Sequence, residues 1–385
     1  MFGDGVASVA LTLLVLDTTR SPGALGWFAA ARMAPTVAFL LVGGVIVDRH
    51  SRRLLLLVSD VGRAIVTTAL VALIASHHLH YVDLIAFALV FGSFDALFTP
   101  ALTAVVPEIV PDELLPAMNS ARPLANNVVG QFLGPAVGGL LAASSTSVAI
   151  GVDAATFAVS ATSLLIMRPT PRPERREAPS MRHEILEGLR FVRGQTWIWA
   201  TLLSAALLNA LVFVPSGVLL SFLLRNDLHA SKPAIGFFFA IGGAAGALVA
   251  LVVSNLPVPR RRIRAMSLAW VSASLAVAIV GVAHNYAEIL VIPILTTPGL
   301  LYGNVIWESM LQRLVPRELL GRVSSVDWFV SLGLSPVGLV VAGSLSGVVG
   351  VRPYLVGAAL LTLVPSVLIL ASRRVNAIDQ PSSEG

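Results

Sequence analysis

The hydrophobic positions of this chain neither alternate nor mark one face of a helix; they fill long blocks set apart by short charged islands. Over a window of about 19 residues, the first six blocks cover residues 1–16, 24–47, 54–74, 82–103, 119–141 and 149–167. Six more cover 200–223, 233–253, 265–282, 289–307, 323–345 and 351–371. Roughly 20 residues of helix, rising 1.5 Å each, cross a hydrocarbon layer of about 30 Å. The pattern therefore predicts an all-α polytopic membrane protein with 12 transmembrane helices.

One polar interval is long. It opens with Pro169, Pro171 and Pro173 among arginines, then places Met181, Ile185, Leu189 and Val192 at helical spacing against Arg182, Glu184, Glu187 and Arg190. That alternation predicts an amphipathic helix lying on the membrane face. It divides the chain into residues 1–167, a linker at 168–199, residues 200–371 and a tail at 372–385. The sequence Val110-Pro111-Asp112-Glu113-Leu114-Leu115 returns 205 residues later as Val315-Pro316-Arg317-Glu318-Leu319-Leu320, each copy between the fourth and fifth runs of its half. An even number of helices separates the copies, so the halves run in the same sense. Such a parallel repeat of two six-helix halves has its substrate cavity at the seam.

Composition agrees. Of 385 residues, 56% are hydrophobic and 12% charged, with a mean hydropathy of +0.84; the charged share is about half that of a soluble domain. Disorder is excluded by the hydrophobicity, and a disulfide scaffold by the lack of cysteine. A pI of 10.3 does not mark a nucleic-acid binder, because the arginines sit in islands between apolar runs and form no basic face. Their placement sets orientation instead. The segments before runs 3, 5, 7, 9 and 11, with the tail, hold 19 of the 26 basic residues, and the opposite loops hold 4. Basic loops stay in the cytoplasm, so both termini are expected there, in the cell membrane. The first run starts only three residues before Asp4 and has no basic leader, so it is expected to lack about half a helix.

The loop after the second run reads Gly44-Val-Ile-Val-Asp48-Arg49-His-Ser-Arg52-Arg53. A glycine there admits a close neighbour, the carboxylate can cap a helix N-terminus, and the arginines can bridge to acids across a gap. The fifth run carries Gly130, Gly134, Pro135, Gly138 and Gly139, a small-residue stripe with a bend point. The eighth run offers a matching face in Gly242, Gly243 and Gly246. The loop resembles the signature of the major facilitator superfamily, Gly-x-x-x-Asp-Arg-x-Gly-Arg-Arg, at every position but Ser51. The fifth run is similar to that superfamily's antiporter motif, Gly-x-x-x-Gly-Pro-x-x-Gly-Gly, without departure. Together with the Val-Pro-Asp-Glu-Leu-Leu stretch, these resemble the branch that includes the enterobactin exporter and the macrolide efflux proteins. The resemblance implies proton-driven export by alternating access, of a bulky amphipathic drug, antibiotic or siderophore. It also implies a gate in which Asp48 meets the eleventh helix near Arg322 while Arg52 meets Glu108.

Charges inside apolar runs each cost about 2.5–3.5 kcal/mol near mid-helix on insertion scales, so they are candidate sites. Asp4 and Arg32 lie at depths that allow an ion pair, with the Asp4 carboxylate a proton carrier. Asp60 and Arg63, three apart, suit a static local pair. Asp95, among Phe91, Phe94 and Phe98, suits either substrate or proton; the fourth run has no arginine for the relay known in drug antiporters. If runs 1, 4, 7 and 10 line the cavity, then Phe91, Phe94, Asn209, Phe213, Tyr302, Asn304 and Trp307 face it, an aromatic wall with polar handles for an amphipathic ligand. Three histidines at 77, 78 and 80 lack acids or thiols around them and read as a solvated loop. No phosphate loop or nucleophile elbow is present. The expected partners are a small molecule, protons and the bilayer; no cofactor, no metal and no catalytic activity are expected, and the assembly is expected to be a monomer. An importer and a transport-dead binding or sensor protein are the alternative readings.

Overall fold

The computed structural model describes residues 1–167, 181–253, 259–372, 375 and 379, with only the backbone described at 41–49, 112, 116, 119, 120, 123 and 181–185. Most of the proline-rich linker and of the tail lie outside the described residues, and so do the side chains of Asp48 and Arg49 in the loop motif, with the packing around Gly44.

The helices are α1 (Phe2–Thr19), α2 (Pro22–Arg49), α3 (Arg52–Ala75), α4 (Tyr81–Ile109), α5 (115–144), α6 (Thr146–Ile166) and the linker helix α7 (Met181–Gly194). They continue as α8 (Thr196–Asp227), α9 (Lys232–Val253), α10 (Arg262–Gly281), α11 (Tyr286–Leu314), α12 (Arg317–Val349) and α13 (Val351–Ala371). Among the described residues, 11 helices are long and apolar enough to cross a membrane. The continuous run Leu115–Ala125, Asn126–Leu133 and Gly134–Ser144, which forms α5, adds the twelfth span.

Local sequence explains the helix ends. Ser21, followed by Pro22, caps α2 through the Ala24 N–H at 3.3 Å. Ser145 caps α6 through the Val148 N–H at 3.3 Å. Ser51, the one departure from the loop signature, caps α3 by accepting the Leu54 N–H at 3.4 Å; serine is a favoured N-cap, and glycine at that position is weaker by only a few tenths of a kcal/mol. Three stretches are π-helical: Asn126–Leu133 in α5, and Asn209–Phe213 and Leu223–Asp227 in α8.

The repeated hexapeptide folds the same way twice. Val110 and Val315 both end their helices in extended conformation, bonding back to Val106 and Leu311 at 3.0 Å. Leu114 then bonds to Pro111 at 2.9 Å and Leu319 to Pro316 at 3.0 Å.

The chain forms two compact units, Met1–Glu177 with Val218–Ala244, and Ala178–Gly217 with Ala245–Gly385. In the first, the glycine stripe of α5 packs on α1. A Cβ on Gly138 would lie 2.5 Å from the Val6 carbonyl oxygen, and one on Gly134 would lie 2.8 Å from the Gly5 Cα. Adjacent Gly139 faces α9, where the contact is Gly236, with each Cα within 3 Å of the other's absent Cβ. Gly243 meets the Gln131 backbone. The eighth run thus meets α5 through Gly236 and Gly243; Gly236 was not part of the expected face. The second unit repeats the device, with Gly338 of α12 against the Ala210 backbone of α8 and Gly299 of α11 against the Ala269 carbonyl oxygen of α10.

The linker helix is not simply laid on a membrane face. Gly188 abuts the Arg322 backbone, Val192 is buried with Trp197 and Val323, and Glu187 pairs with the Arg322 guanidinium, so α7 docks on the start of α12. Leu186 and Leu189 stay exposed.

The glycine contacts make a direct prediction. Gly138→Val should destabilise the protein by about 1–3 kcal/mol, since the backbone of α1 cannot yield to a new side chain. Gly151→Ala, with nothing within 4 Å of its Cβ position, should leave the melting temperature unchanged or slightly raised. Thermal scanning of the two purified variants checks both.

Candidate functional site

In the first unit, a buried arginine collects the intramembrane acids. Arg63, on α3, donates to Asp60 at 2.6 Å and to Asp95 of α4 at 3.0 Å, with Asp4 of α1 at 3.8 Å. Its guanidinium lies 4.3 Å from the Phe98 ring centre and 4.4 Å from that of Phe157, each such contact contributing about 0.5–2 kcal/mol. Asp60 is sealed, its second oxygen accepting the Ser160 hydroxyl at 2.5 Å. Asp95 is different: its side chain is 41% exposed. The Asp60–Arg63 pair expected from spacing is therefore present, and it extends to a second and a third carboxylate.

The expected Asp4–Arg32 pair does not form. Asp4 bonds to the amine of Met1 at 2.6 Å and leans toward Arg63. Arg32 instead lies over the Phe91 ring, 4.8 Å from its centre. Phe91 is itself buried against Phe87 and Phe157, so it is a packing residue and not a cavity wall. The Phe94 ring fills the space beside Gly62. Asp153 of α6, which the sequence reading passed over, is buried beside Gly3, and one of its oxygens accepts no hydrogen bond among the described residues. Its signal was plain: an acid in the middle of an apolar run.

Two further ion-pair sets hold helix ends. Arg52 pairs with Glu108, as the motif implied, while Arg53 donates to the Leu164 and Leu165 carbonyls that end α6, at 2.7 Å each. Asp17 at the end of α1 pairs with Arg225 and Lys232, both at 3.0 Å.

The second unit contains a cavity of about 360 Å³ between α8, α10, α11 and α12. Asn209, Phe213, Asn304 and Trp307 are on its wall; Tyr302 is not, and packs against the core around Trp270 and Trp307. Asn209 is held by donating to the Ser331 carbonyl at 3.1 Å, and Asn304 accepts the Trp270 indole N–H at 3.1 Å. Two acids absent from the sequence reading also line it, Glu308 and Asp327. Asp327 accepts the Trp307 indole N–H at 2.9 Å on one oxygen and the Ser331 hydroxyl at 3.0 Å on the other. It lies ten residues into α12, about 15 Å from the helix start. The rule that singled out Asp4 and Asp95 applies equally to Asp327. Among the described residues no group of His, Cys, Asp and Glu could hold a metal.

Chemically, the first unit offers carboxylates sharing one guanidinium, a set able to exchange a proton without stranding the arginine. The second offers an aromatic chamber with oriented amides and acids.

Comparison with known proteins agrees with this architecture. Among curated proteins the chain is similar to the multidrug efflux pump Tap of Mycolicibacterium fortuitum, 27% identical, covering 99% of this chain and 94% of that one. It is also similar to the enterobactin exporter EntS of Escherichia coli O1:K1 / APEC, 27% identical over 84% of this chain and 76% of that one. Among solved structures, a POT family transporter in complex with 5-aminolevulinic acid superposes with a TM-score of 0.74 at 12% identity, covering 99% and 95% of the two chains; this likeness concerns the fold. The family model of the Major Facilitator Superfamily matches residues 1–336. Twelve spans, the repeated hexapeptide and that match place this multi-pass membrane protein in the Major Facilitator Superfamily.

Proposed function

We propose that the protein is a proton-coupled exporter of bulky amphipathic small molecules across the cell membrane, with both termini cytoplasmic. The observation that carries this reading is the unequal pair of carboxylates on Arg63. Asp60 holds the guanidinium from the sealed side, while the Asp95 side chain that also holds it is 41% exposed. When Asp95 takes a proton it loses its attraction for the cation, yet Arg63 keeps Asp60 and stays satisfied. Protonation therefore frees α4 from α3 without leaving a bare charge in lipid. Asp4 is the second acceptor in the set. In this scheme the substrate enters the aromatic chamber from the arginine-island side, and protons arriving from the opposite side reset the halves. Asp48, Arg49 and Arg52 latch the arginine-island end, Arg52 through Glu108. The efflux function of Tap and of EntS supports the direction.

Uptake by everted vesicles incubated with a panel of amphipathic drugs and siderophores tests the reading. Accumulation should follow the proton gradient and collapse with an uncoupler; accumulation that needs ATP and survives the uncoupler would overturn it. Asp95→Asn should abolish gradient-driven accumulation at normal expression and melting temperature, and full transport by this variant would remove Asp95 from the mechanism. Arg63→Ala should behave differently, losing about 3–5 kcal/mol because Asp60 is left as a buried unpaired charge; gel filtration after mild heating would show the loss of folded protein.

A further inference from the structure

We propose that the cavity of the second unit is a binding site for lipophilic organic cations, with Asp327 as the ion-pairing group and Glu308 as a second acid on the wall. This deepens the exporter reading by naming the charge class of the ligand and the residues that select it.

The argument starts from a missing counter-charge. Among the described residues no arginine, lysine or histidine lines the cavity, and neither Asp327 nor Glu308 has an ion-pair partner. This contrasts with the first unit, where Asp60 and Asp95 share an arginine. The two donors on Asp327, the Trp307 indole and the Ser331 hydroxyl, are neutral. They occupy one oxygen each and fix the carboxylate plane, but they do not cancel its charge. A carboxylate held this way inside a membrane span is neutralised either by a proton or by a cation from elsewhere, and an organic cation can displace that proton.

The walls say which cation. Trp270, Trp307, Trp328 and Phe213 surround the acids, and an aromatic face attracts an organic cation whose charge is spread and poorly hydrated. A metal ion is disfavoured, since among the described residues no group of three or more His, Cys, Asp or Glu is placed to hold one. The volume of about 360 Å³ falls at the lower end of small-molecule sites, which suits a cation with two to four rings. Asn209 and Asn304, each already engaged through one end of its amide, supply fixed polar contacts for hydroxyl or carbonyl groups on the same ligand. An anion would meet two negative groups and no positive one.

The test is equilibrium binding to the purified full chain in detergent, with no gradient present. Radiolabelled tetraphenylphosphonium is the probe, with neutral triphenylphosphine oxide as competitor. Saturable binding is expected, with weak competition by the neutral compound. Asp327→Asn should weaken binding by at least about tenfold, Glu308→Gln should weaken it less, and the exposed Glu113→Gln should leave it unchanged. Ser324→Lys, which puts a cation on the cavity wall, should abolish binding and covers the case in which Asp327→Asn does not fold. No saturable binding above empty micelles, equal binding by folded Asp327→Asn or Ser324→Lys, or equal competition by the neutral compound would each overturn the proposal. Because the assay needs no transport, a chain that binds the cation without exporting it would keep this site and lose the exporter reading.

Discussion

A charge inside a lipid bilayer has no water to turn to, and the described ions within the spans are placed by that constraint. Arg63 shows the most complete solution. Its charge is divided among acids from its own helix and two others, and its flat faces are covered by Phe98 and Phe157. Removing any one acid leaves the guanidinium still held, so the network tolerates the change of one protonation state while it tolerates loss of the arginine poorly. The pairs at the helix ends, Arg52 with Glu108 and Asp17 with Arg225 and Lys232, obey the same rule in a wetter setting. There, exchange with solvent makes each pair weaker and more easily opened.

Packing between helices follows from a second property of the same medium. Lipid tails are as apolar as leucine, so hydrophobicity gives helices no reason to prefer one another, and close backbone approach must do it. The stripe from Gly130 to Gly139 brings α1 against one side of α5 and α9 against the other. Dispersion contacts and backbone polar attraction then replace the missing hydrophobic drive. At Gly134, Gly138 and Gly139 the partners are themselves backbone atoms, which explains why these positions have no room for even a methyl group.

Much of this was legible in the sequence because it is local. The spans follow from block length, the Asp60–Arg63 pair from a spacing of three, and the Arg52–Glu108 bridge from the loop motif. What was not legible depends on rotation about helix axes, which block length leaves undetermined. Asp4 and Arg32 have matching depths, but depth alone does not decide azimuth, and Arg32 turns to Phe91 while Asp4 turns to Arg63. Tyr302 differs by two residues from Asn304 on the same helix, yet only the latter reaches the cavity; two residues turn a helix by about 200°.

The π-helical stretches carry a consequence for how this chain can change length. A π turn holds one more residue than an α turn, so the seventh span contains a surplus residue at Asn209–Phe213 and another at Leu223–Asp227. Deleting one residue there would let the turn relax to α geometry and keep the rest of the span in phase. The same deletion in an ordinary α stretch would swing every later side chain by about 100°. These two places are therefore natural joints for insertion and deletion, and Asn209, on the cavity wall, opens the first of them.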